Sequence, residues 1–388
     1  MTVFFRNIHL YLSLAAGIVI AIVCFTGAVL VFEKEWNMSI YPERYYVQPG
    51  SEKVSLKKLA EELKKKEPLA KVNSLKIYSE PDRNIEINFA KKEKGAAQKP
   101  SERGGGIIAY ANPYTGEITA FSSQKSPFFL TMFQLHRWLL AGETGKMIVG
   151  VSTVFFLFII ATGLVLWWPK TKAIVKQRLK LKLDGGWKRI NHDLHIVLGF
   201  YTSIFLFAFA FTGLAWSFEW FNNAIYAITG TQNIRQEPPK SVFKNDATPI
   251  SFDVVFAKVL KKYPDAEYYV INAPKGEKAT IAVTFLPADA AHERATNQVF
   301  IDQYSGEIAG RLFFKDRNFG QRVRSTFYPV HVGSIGGLPG RIIAFISCIL
   351  GATFPITGIV MWLVRLKKER KKKLHKAIIF KKPALENA

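Results

Sequence analysis

Cysteine is nearly absent from this chain, which has 2 cysteines, Cys24 and Cys348, in 388 residues. Both lie inside long apolar segments, so they cannot cross-link the polar parts of the chain. Neither belongs to a Cys-x-x-Cys-His motif, which excludes covalently attached haem of the c type. A structural zinc site is disfavoured as well, because cysteine is common among the four ligands of such sites.

Acidic residues are also scarce: 30 Asp and Glu stand against 53 Lys and Arg, giving a net charge of +23. Charge of either sign is missing from the interiors of four apolar segments, at 8–32, 146–168, 194–218 and 341–364. Each is long enough to cross a bilayer, for which about 20 residues are needed. The first is longer than the apolar part of a signal peptide and lacks a cleavage-like motif, so we expect it to be retained. The sequence predicts an α-helical integral membrane protein with four spanning helices.

Basic residues are concentrated in two places, a short loop after the second apolar segment and the stretch after the fourth. They are Lys170, Lys172, Lys176, Arg178, Lys180, Lys182, Lys188 and Arg189, then Arg365, Lys367, Lys368, Arg370, Lys371, Lys372 and Lys373. The positive-inside rule places both stretches, and therefore both termini, in the cytoplasm, with the two long connections on the opposite side. Nucleic-acid binding would explain the same residues, but their position beside spanning helices favours topology as the cause.

Identical residues recur at two fixed offsets along the chain. At an offset of 186, His9 matches His195, Phe25-Thr26-Gly27 matches Phe211-Thr212-Gly213, and Glu33 matches Glu219. At an offset of 195, His136 matches His331, Gly145 matches Gly340, Thr162-Gly163 matches Thr357-Gly358, and Trp167 matches Trp362. These matches predict two tandem copies of one unit. Copies with the same orientation imply a pseudo-twofold axis along the membrane normal.

The long connections repeat a pattern of their own. Each has an amphipathic helical stretch (55–66 and 251–263), two alternating strand-like stretches, and a hairpin with glycine late in its turn, at Gly116 and Gly306. Two outer α+β domains are therefore predicted. The full predicted order is a first spanning helix (1–36), a first outer domain (37–127), an outer short helix with the second spanning helix (128–169), a basic loop (170–192), a third spanning helix (193–220), a second outer domain (221–326), an outer segment with the fourth spanning helix (327–365) and a basic tail (366–388).

Four of the seven histidines occupy duplicated positions, His9 with His195 and His136 with His331. Gly27 follows His9 by 18 residues, or five helical turns, so the two share a face. Small residues mark helix contacts in membranes, which predicts that the histidines point into the bundle. Facing imidazoles can be the two axial ligands of a haem iron. The alternative is that they cap helix ends or bind lipid headgroups.

The remaining candidate ligands are weaker. His192 has no duplicated partner, since its equivalent is Arg6, and is either a reserve ligand or a loop residue; His292 and His375 lie in polar surroundings. Zinc would require about four converging ligands, whereas each membrane face offers two histidines, and the nearby Glu33, Glu219 and Asp193 form no zinc spacing.

The chain resembles the PepSY-associated transmembrane family over nearly its whole length. The residues that carry the resemblance are Ile8-His9 with Thr26-Gly27, Leu135-His136-Arg137-Trp138, Thr162-Gly163, Trp167-Trp168-Pro169, His195 with Gly199 and Thr212-Gly213, His331-Val332-Gly333, Gly336-Gly337-Leu338-Pro339-Gly340-Arg341, and the hairpins Tyr114-Thr115-Gly116-Glu117 and Tyr304-Ser305-Gly306-Glu307. The usual aromatic residue shortly after the first histidine is present here only as Tyr11. Members are associated with iron uptake and include ferric-siderophore reductases with two haems in the bundle. The resemblance implies that His9, His136, His195 and His331 are the ligands and that the outer domains are PepSY-like.

The sequence thus predicts a dihaem b-type oxidoreductase in the bacterial inner membrane, with periplasmic PepSY-like domains and ferric iron or a ferric siderophore as substrate. Arg137 and Arg341 are predicted to bind haem propionates, because guanidinium pairs well with carboxylates; anchoring at the membrane interface is the alternative. Some relatives carry a C-terminal flavin-reductase module, but this chain has a basic tail, so a cytoplasmic protein or a quinol remains open as the electron donor.

Two other classes of protein compete with this interpretation. A non-enzymatic PepSY membrane protein would bind or regulate an envelope peptidase or another partner. A transporter with parallel repeats would be expected to have broken helices with polar residues at mid-membrane, which the uncharged helix interiors disfavour. Residues that act directly on the substrate are not identified by the sequence.

Overall fold

The computed structural model describes residues 2–91, 106–123, 126–169, 171–234, 236–242 and 248–381. They form two compact units. The helical unit consists of Met1–Val31, Thr131–Asn222 and Val330–Ala388, and the sheet unit consists of Phe32–Leu130 and Asn223–Pro329.

Within the described residues the helices, in chain order, are α1 (Thr2–Val31), α2 (Glu33–Ile40), α3 (Pro42–Tyr45), α4 (Leu56–Lys66), α5 (Pro127–Trp138), α6 (Gly142–Trp167), α7 (Lys172–Arg178), α8 (Gly186–Ser217), α9 (Glu219–Ile228), α10 (Phe252–Lys262), α11 (Phe319–His331) and α12 (Gly337–Lys381). The strands are β1 (Ala70–Tyr78), β2 (Ile85–Lys91), β3 (Ile107–Ala111), β4 (Ile118–Ser123), β5 (Ala266–Asn272), β6 (Ile281–Pro287), β7 (Asn297–Ile301) and β8 (Ile308–Leu312).

Four of these helices, α1, α6, α8 and α12, are long and apolar enough to cross a membrane, which confirms the predicted number. Large apolar side chains such as Ile18, Phe158, Ile204 and Ile356 are exposed on their outer faces, as lipid-facing positions require. Two boundaries differ from the prediction. Helix α8 begins at Gly186, within the predicted loop, and α12 continues to Lys381, so most of the predicted basic tail is helical.

The long helices form a closed ring, because α1 packs against α6 and α12, and α8 packs against the same two helices. Small residues permit this close packing. A Cβ added to Gly17 would lie 3.2 Å from Cβ of Pro355, and one added to Gly351 would lie 2.9 Å from Sγ of Cys24. Contacts of this kind let helices approach closely where lipid provides no hydrophobic driving force.

The sheet unit contains one antiparallel sheet in the order β4-β3-β2-β1-β5-β6-β7-β8. Each half of the chain contributes four consecutive strands, and the halves join where β1 pairs with β5, for example Lys76 with Val270. The two predicted outer domains therefore share a single sheet. The predicted hairpins are present as β3–β4 and β7–β8, with Gly116 and Gly306 at φ of +84° and +70° in their turns.

Helices α4 and α10 cover one face of this sheet. Their buried leucines and valines, with alternate residues of the central strands such as Ile87 and Ile271, form one continuous core. Ser55 and Ser251 cap the two helices through their side chains, accepting from the backbone N–H of Lys58 and Val254. The predicted amphipathic stretches are thus helical, and the core extends across both halves of the chain.

Candidate functional site

The structure brings together the histidines of each predicted pair inside the helical unit. The rings of His9 on α1 and His195 on α8 have centroids 6.4 Å apart, with an angle of 80° between their planes. The rings of His136 on α5 and His331 on α11 have centroids 6.0 Å apart at 67°. Each pair therefore joins one histidine from each half of the chain.

Each of the four rings lies against a threonine-glycine pair on a neighbouring long helix, and the threonine hydroxyl lies within hydrogen-bond distance of Nδ1. His9 Nδ1 lies 3.0 Å from the carbonyl oxygen of Ile159 and 3.1 Å from Oγ1 of Thr162. His136 Nδ1 lies 2.9 Å from the carbonyl oxygen of Val23 and 3.3 Å from Oγ1 of Thr26.

The second half of the chain repeats these contacts. His331 Nδ1 lies 2.9 Å from the carbonyl oxygen of Phe209 and 3.2 Å from Oγ1 of Thr212. His195 Nδ1 lies 2.8 Å from Oγ1 of Thr357.

These contacts determine which ring nitrogen carries the proton. Each threonine hydroxyl can donate to a carbonyl of its own helix, as Thr212 Oγ1 does to Ala208 at 2.7 Å, so its oxygen is left to accept. Carbonyl oxygens can only accept. The proton is therefore assigned to Nδ1, which leaves the lone pair of Nε2 available on all four rings. Among the described residues, none donates a hydrogen bond to those Nε2 atoms.

Glycine is required beside each ring because the backbone and the imidazole are in contact. A Cβ added to Gly27 would lie 3.1 Å from Cε1 of His136, and one added to Gly213 would lie 3.2 Å from Cε1 of His331. A Cβ added to Gly163 would lie 3.3 Å from Cε1 of His9, and one added to Gly358 would lie 3.2 Å from Cε1 of His195.

From the sequence, Gly27 and Gly213 were expected to share a face with His9 and His195 of their own helices. The structure shows that all four glycines pack against a histidine from another element, which the sequence pattern did not reveal. The threonines were missed as hydrogen-bond acceptors, although the recurrence of Thr-Gly in all four long helices was the available signal.

The spacing of each pair can be compared with what a shared metal atom requires. An imidazole nitrogen bonds a metal at about 2 Å, and the ring centre lies about 1.1 Å behind it, so two opposed imidazoles have centres about 6.2 Å apart. The observed 6.4 Å and 6.0 Å agree with this value. A hydrogen bond at the other ring nitrogen is also typical of metal-bound histidine, since it fixes the ring orientation. The four residues therefore fit two bis-histidine metal centres.

A cavity of ≈ 440 Å³ opens between the long helices at the His9–His195 pair, and is called the His9 cavity here. Both histidines line it. Most of the remaining lining is apolar, and the aromatic members are Phe156, Trp167, Phe200, Phe354 and Trp362. Gly17, Gly163, Gly199, Gly351 and Gly358 also line it, which leaves the space between the helices wide. The cavity suits a large, flat apolar group.

The two arginines predicted to bind carboxylates belong to the other end of the bundle. Arg341 Nη2 donates a hydrogen bond of 2.6 Å to the carbonyl oxygen of Val31, at the end of α1. The guanidinium of Arg137 lies 5.4 Å from the ring of Trp138, within range of a cation–π contact. Arg341 thus has a protein partner, and the carboxylate role of both residues stays a prediction.

The other histidines do not join the two pairs. His192 Nδ1 lies 3.1 Å from Oδ1 of the buried Asp193, whose Oδ2 accepts from Nε of Arg189 at 2.9 Å. His292 lies in the sheet unit, where burial lowers its pKa, and His375 is exposed on α12. No group of three or more His, Cys, Asp or Glu side chains with the geometry of a metal site occurs in the described part of the chain.

Four apolar helices long enough to span a bilayer, together with an antiparallel sheet unit, define a membrane protein with a substantial polar part. The chain belongs to the family described as the PepSY-associated TM region, whose model matches residues 6–365. This confirms the resemblance found in the sequence. A comparison with curated proteins gives no match.

Proposed function

We propose that this protein is a dihaem b-type electron conduit that reduces ferric iron, free or in a siderophore complex, for iron uptake. The observation that carries the proposal is the pairing of four histidines, with ring centroids 6.4 Å and 6.0 Å apart. Bis-histidine ligation is one of the ways in which proteins hold haem iron. When bound, two haems supply one-electron carriers at two levels of the bundle.

The chain's own residues prepare both sites for this role. The threonine hydroxyls and helix carbonyls orient the imidazoles through Nδ1 and leave Nε2 free, so little rearrangement is needed when a metal binds. The mostly apolar lining of the His9 cavity would lower the polarity around a bound redox centre, which is one factor that sets its potential. No cysteine lies in a haem-attachment motif, so the haem is held without covalent links.

The same proposal includes the organisation of the protein in the bacterial inner membrane. The chain would consist of two tandem copies of one helix–domain–helix unit. By the positive-inside rule, the basic ends of α8 and α12 would lie in the cytoplasm and the sheet unit in the periplasm. Support comes from the equal contributions of the two halves to each histidine pair and to the sheet. The His9 pair would then lie near the cytoplasm and the His136 pair near the periplasm.

Reduction on the periplasmic side would release iron because of the chemistry of its chelators. Hard oxygen ligands hold Fe(III) much more tightly than Fe(II), so the gain of one electron weakens the complex. The histidine pairs offer a path for that electron through a bilayer that charged groups cross only at high cost. The electrons would come from a cytoplasmic protein or from a quinol.

An optical spectrum of the detergent-purified full chain tests this proposal. We expect a b-type spectrum on reduction with dithionite, and a pyridine haemochrome count of about two haems per chain. His9→Ala and His136→Ala should each remove about one haem, while His375→Ala, on the exposed part of α12, should remove none. A colourless protein from haem-replete cells would contradict the proposal and favour a PepSY protein that binds an envelope partner instead.

A further inference from the structure

The His9 cavity has a polar end that the proposed electron path does not use. Besides the two histidines, four side chains with N–H donors line this cavity: Arg6 on α1, Trp167 at the end of α6, and Trp362 and Arg365 on α12. No Asp or Glu is among the described residues that line it. The polar end therefore offers positive charge and N–H donors with no carboxylate in the cavity lining; outside the lining, Glu369 forms an ion pair with Arg365 at 3.8 Å.

The helix packing brings the two arginines to the same end of the cavity. Helices α1 and α12 run antiparallel and touch where Gly17 meets Pro355. Arg6 lies eleven residues before Gly17, and Arg365 lies ten residues after Pro355, so both are at nearly the same distance from this contact.

Trp167 lies at the same end as these arginines. It is four residues, about one helical turn, beyond Gly163, which packs against His9. Trp167 is the last residue of α6, and Arg6 lies in the first turns of α1. Because His9 on α1 packs against Gly163 on α6, these two helix ends lie at the same end of the bundle.

Two donors at this end are buried and unsatisfied. Nε of Arg365 has no hydrogen-bond partner in the described structure; Oε1 of Glu369, 3.8 Å away, is within ion-pair distance but too far for a hydrogen bond. Nε1 of Trp167 also has none within the described residues, and its ring is fixed by stacking on Phe200 at 3.7 Å between centroids and 8° between planes. Buried donors without acceptors are unfavourable and are uncommon in folded proteins. Their presence beside a cavity indicates that the acceptor belongs to a ligand.

We infer that Arg6, Arg365 and the indole N–H of Trp167 form a carboxylate-binding subsite for the haem of the His9–His195 pair. This inference rests on the proposed function. Guanidinium groups bind carboxylates through charge-assisted hydrogen bonds, and an anion on the ligand would match the positive charge of Arg6 and Arg365 at this end. When the haem is bound, such a subsite would fix its orientation by holding its carboxylates at Arg6 and Arg365.

The test compares haem b with its dimethyl ester, in which both carboxylates are blocked. A His136→Ala background leaves the His9 pair as the site under study. In this background we expect the ester to bind more weakly than haem b, and Arg365→Gln to weaken haem b by about 10- to 100-fold. Because each change removes the same interaction, combining the ester with Arg365→Gln should cause little additional loss.

Matched variants separate this role from general damage. Trp167→Phe keeps the aromatic ring on Phe200 but lacks the N–H, so it should weaken haem b and not the ester. Lys371→Gln removes a positive charge from an exposed position of the same helix and should leave both affinities unchanged. Arg365→Gln should also lower the reduction potential of the bound haem, because a nearby cation stabilises the reduced form.

Two results would overturn the inference while leaving the proposed function intact. One is equal binding of haem b and its ester by the protein with Arg365 in place. The other is an equal loss of both ligands in Arg365→Gln. Failure of the wild-type chain to bind any haem would reject the proposed function itself, and this inference with it.

Discussion

Each paired histidine is positioned by a neighbour that has no side chain. The glycines beside the rings leave space that a single methyl group would fill, and the threonines before them accept from Nδ1. A ring held on both sides has little freedom, so Nε2 points in one direction. Preorganisation of this kind would suit the proposed ligand set, in which each metal has two protein ligands.

Gly213→Ala is the most direct test of that packing. The added Cβ would lie 3.2 Å from Cε1 of His331, closer than an ordinary contact, so the ring must shift by a few tenths of an ångström. We expect the haem of the His136–His331 pair to bind about 10-fold more weakly, an effect typical of disturbing groups around metal ligands. Haem titration of the His9→Ala protein measures it. Gly336→Ala is the control, because nothing lies within 4 Å of its added Cβ, and an equal effect in both variants would argue against the packing role.

Asp302 gives the sheet unit a defined response to acid. Burial alone would raise its pKa, but backbone N–H groups, chiefly those of Ser305, Val242 and Tyr304, outweigh this and hold the pKa below its ordinary value. The unfolded chain therefore binds the proton more readily. This contribution to stability is complete above the unfolded pKa, about 3.9, and is lost as pH falls through the lower folded pKa.

Asp302→Asn should therefore reduce the acid sensitivity of the full chain. Asn112 occupies the matching turn of the first hairpin and accepts from Tyr114 and Thr115 through its amide oxygen, so Asn is compatible with this turn. The variant loses the acceptor for Val242 and should melt lower at pH 7, with a smaller fall in Tm between pH 6 and pH 3 than the wild type. Parallel Tm curves for the two proteins would show that Asp302 does not cause the response.

At the scale of elements, the two halves of the sheet unit are tied together by a helix cap. The carboxylate of Asp253, at the start of α10, accepts from the backbone N–H groups of Leu56 at 2.6 Å and Lys57 at 3.1 Å, in the first turn of α4. Negative charge at a helix N-terminus is stabilising because it compensates the helix dipole. Here the compensating residue belongs to the other half of the chain.

Asp253→Ala should destabilise the sheet unit by about 1 kcal/mol, the usual cost of losing a capping side chain. Thermal unfolding of the full chain in detergent, followed by the loss of β-sheet signal, measures this change. Asp289→Ala removes the same charge at an exposed position and should have little effect. Equal destabilisation by the two substitutions would attribute the loss to net charge rather than to the cap.

Elements with a strong local pattern could be predicted, and their partners could not. Period-2 alternation and turn glycines identified the strands and both hairpins, and uninterrupted apolar runs identified the long helices. The pairing of β1 with β5 could not be predicted from the sequence of either strand, because edge strands and central strands show a similar alternation of apolar and polar residues. The extension of α12 through its basic end was missed for a related reason. Hydropathy predicts which residues lie in the membrane, but it does not predict where the helix ends.

For the whole molecule, the duplicated histidines were predictable as pairs because duplication and symmetry constrain them together. The polar end of the His9 cavity was not predictable, because Arg6 has His192 as its equivalent and breaks the repeat. Symmetry therefore identifies the paired histidines, and departures from symmetry indicate what distinguishes one site from the other. Under the proposed function, the direction of electron flow would depend on such differences and on which end of the bundle faces the cytoplasm.

Cysteine labelling can determine that orientation. The two native cysteines lie in the helical unit, Cys24 buried and Cys348 partly buried, so they should give a low background with a membrane-impermeant maleimide. We expect Lys275→Cys, exposed in the sheet unit, to be labelled on intact spheroplasts. Lys371→Cys, exposed on α12, should be labelled only after permeabilisation, because the basic end of this helix is predicted to face the cytoplasm. The opposite pattern would place the His9 pair on the outer side, and ferric reduction at the sheet unit would then have to occur inside the cell.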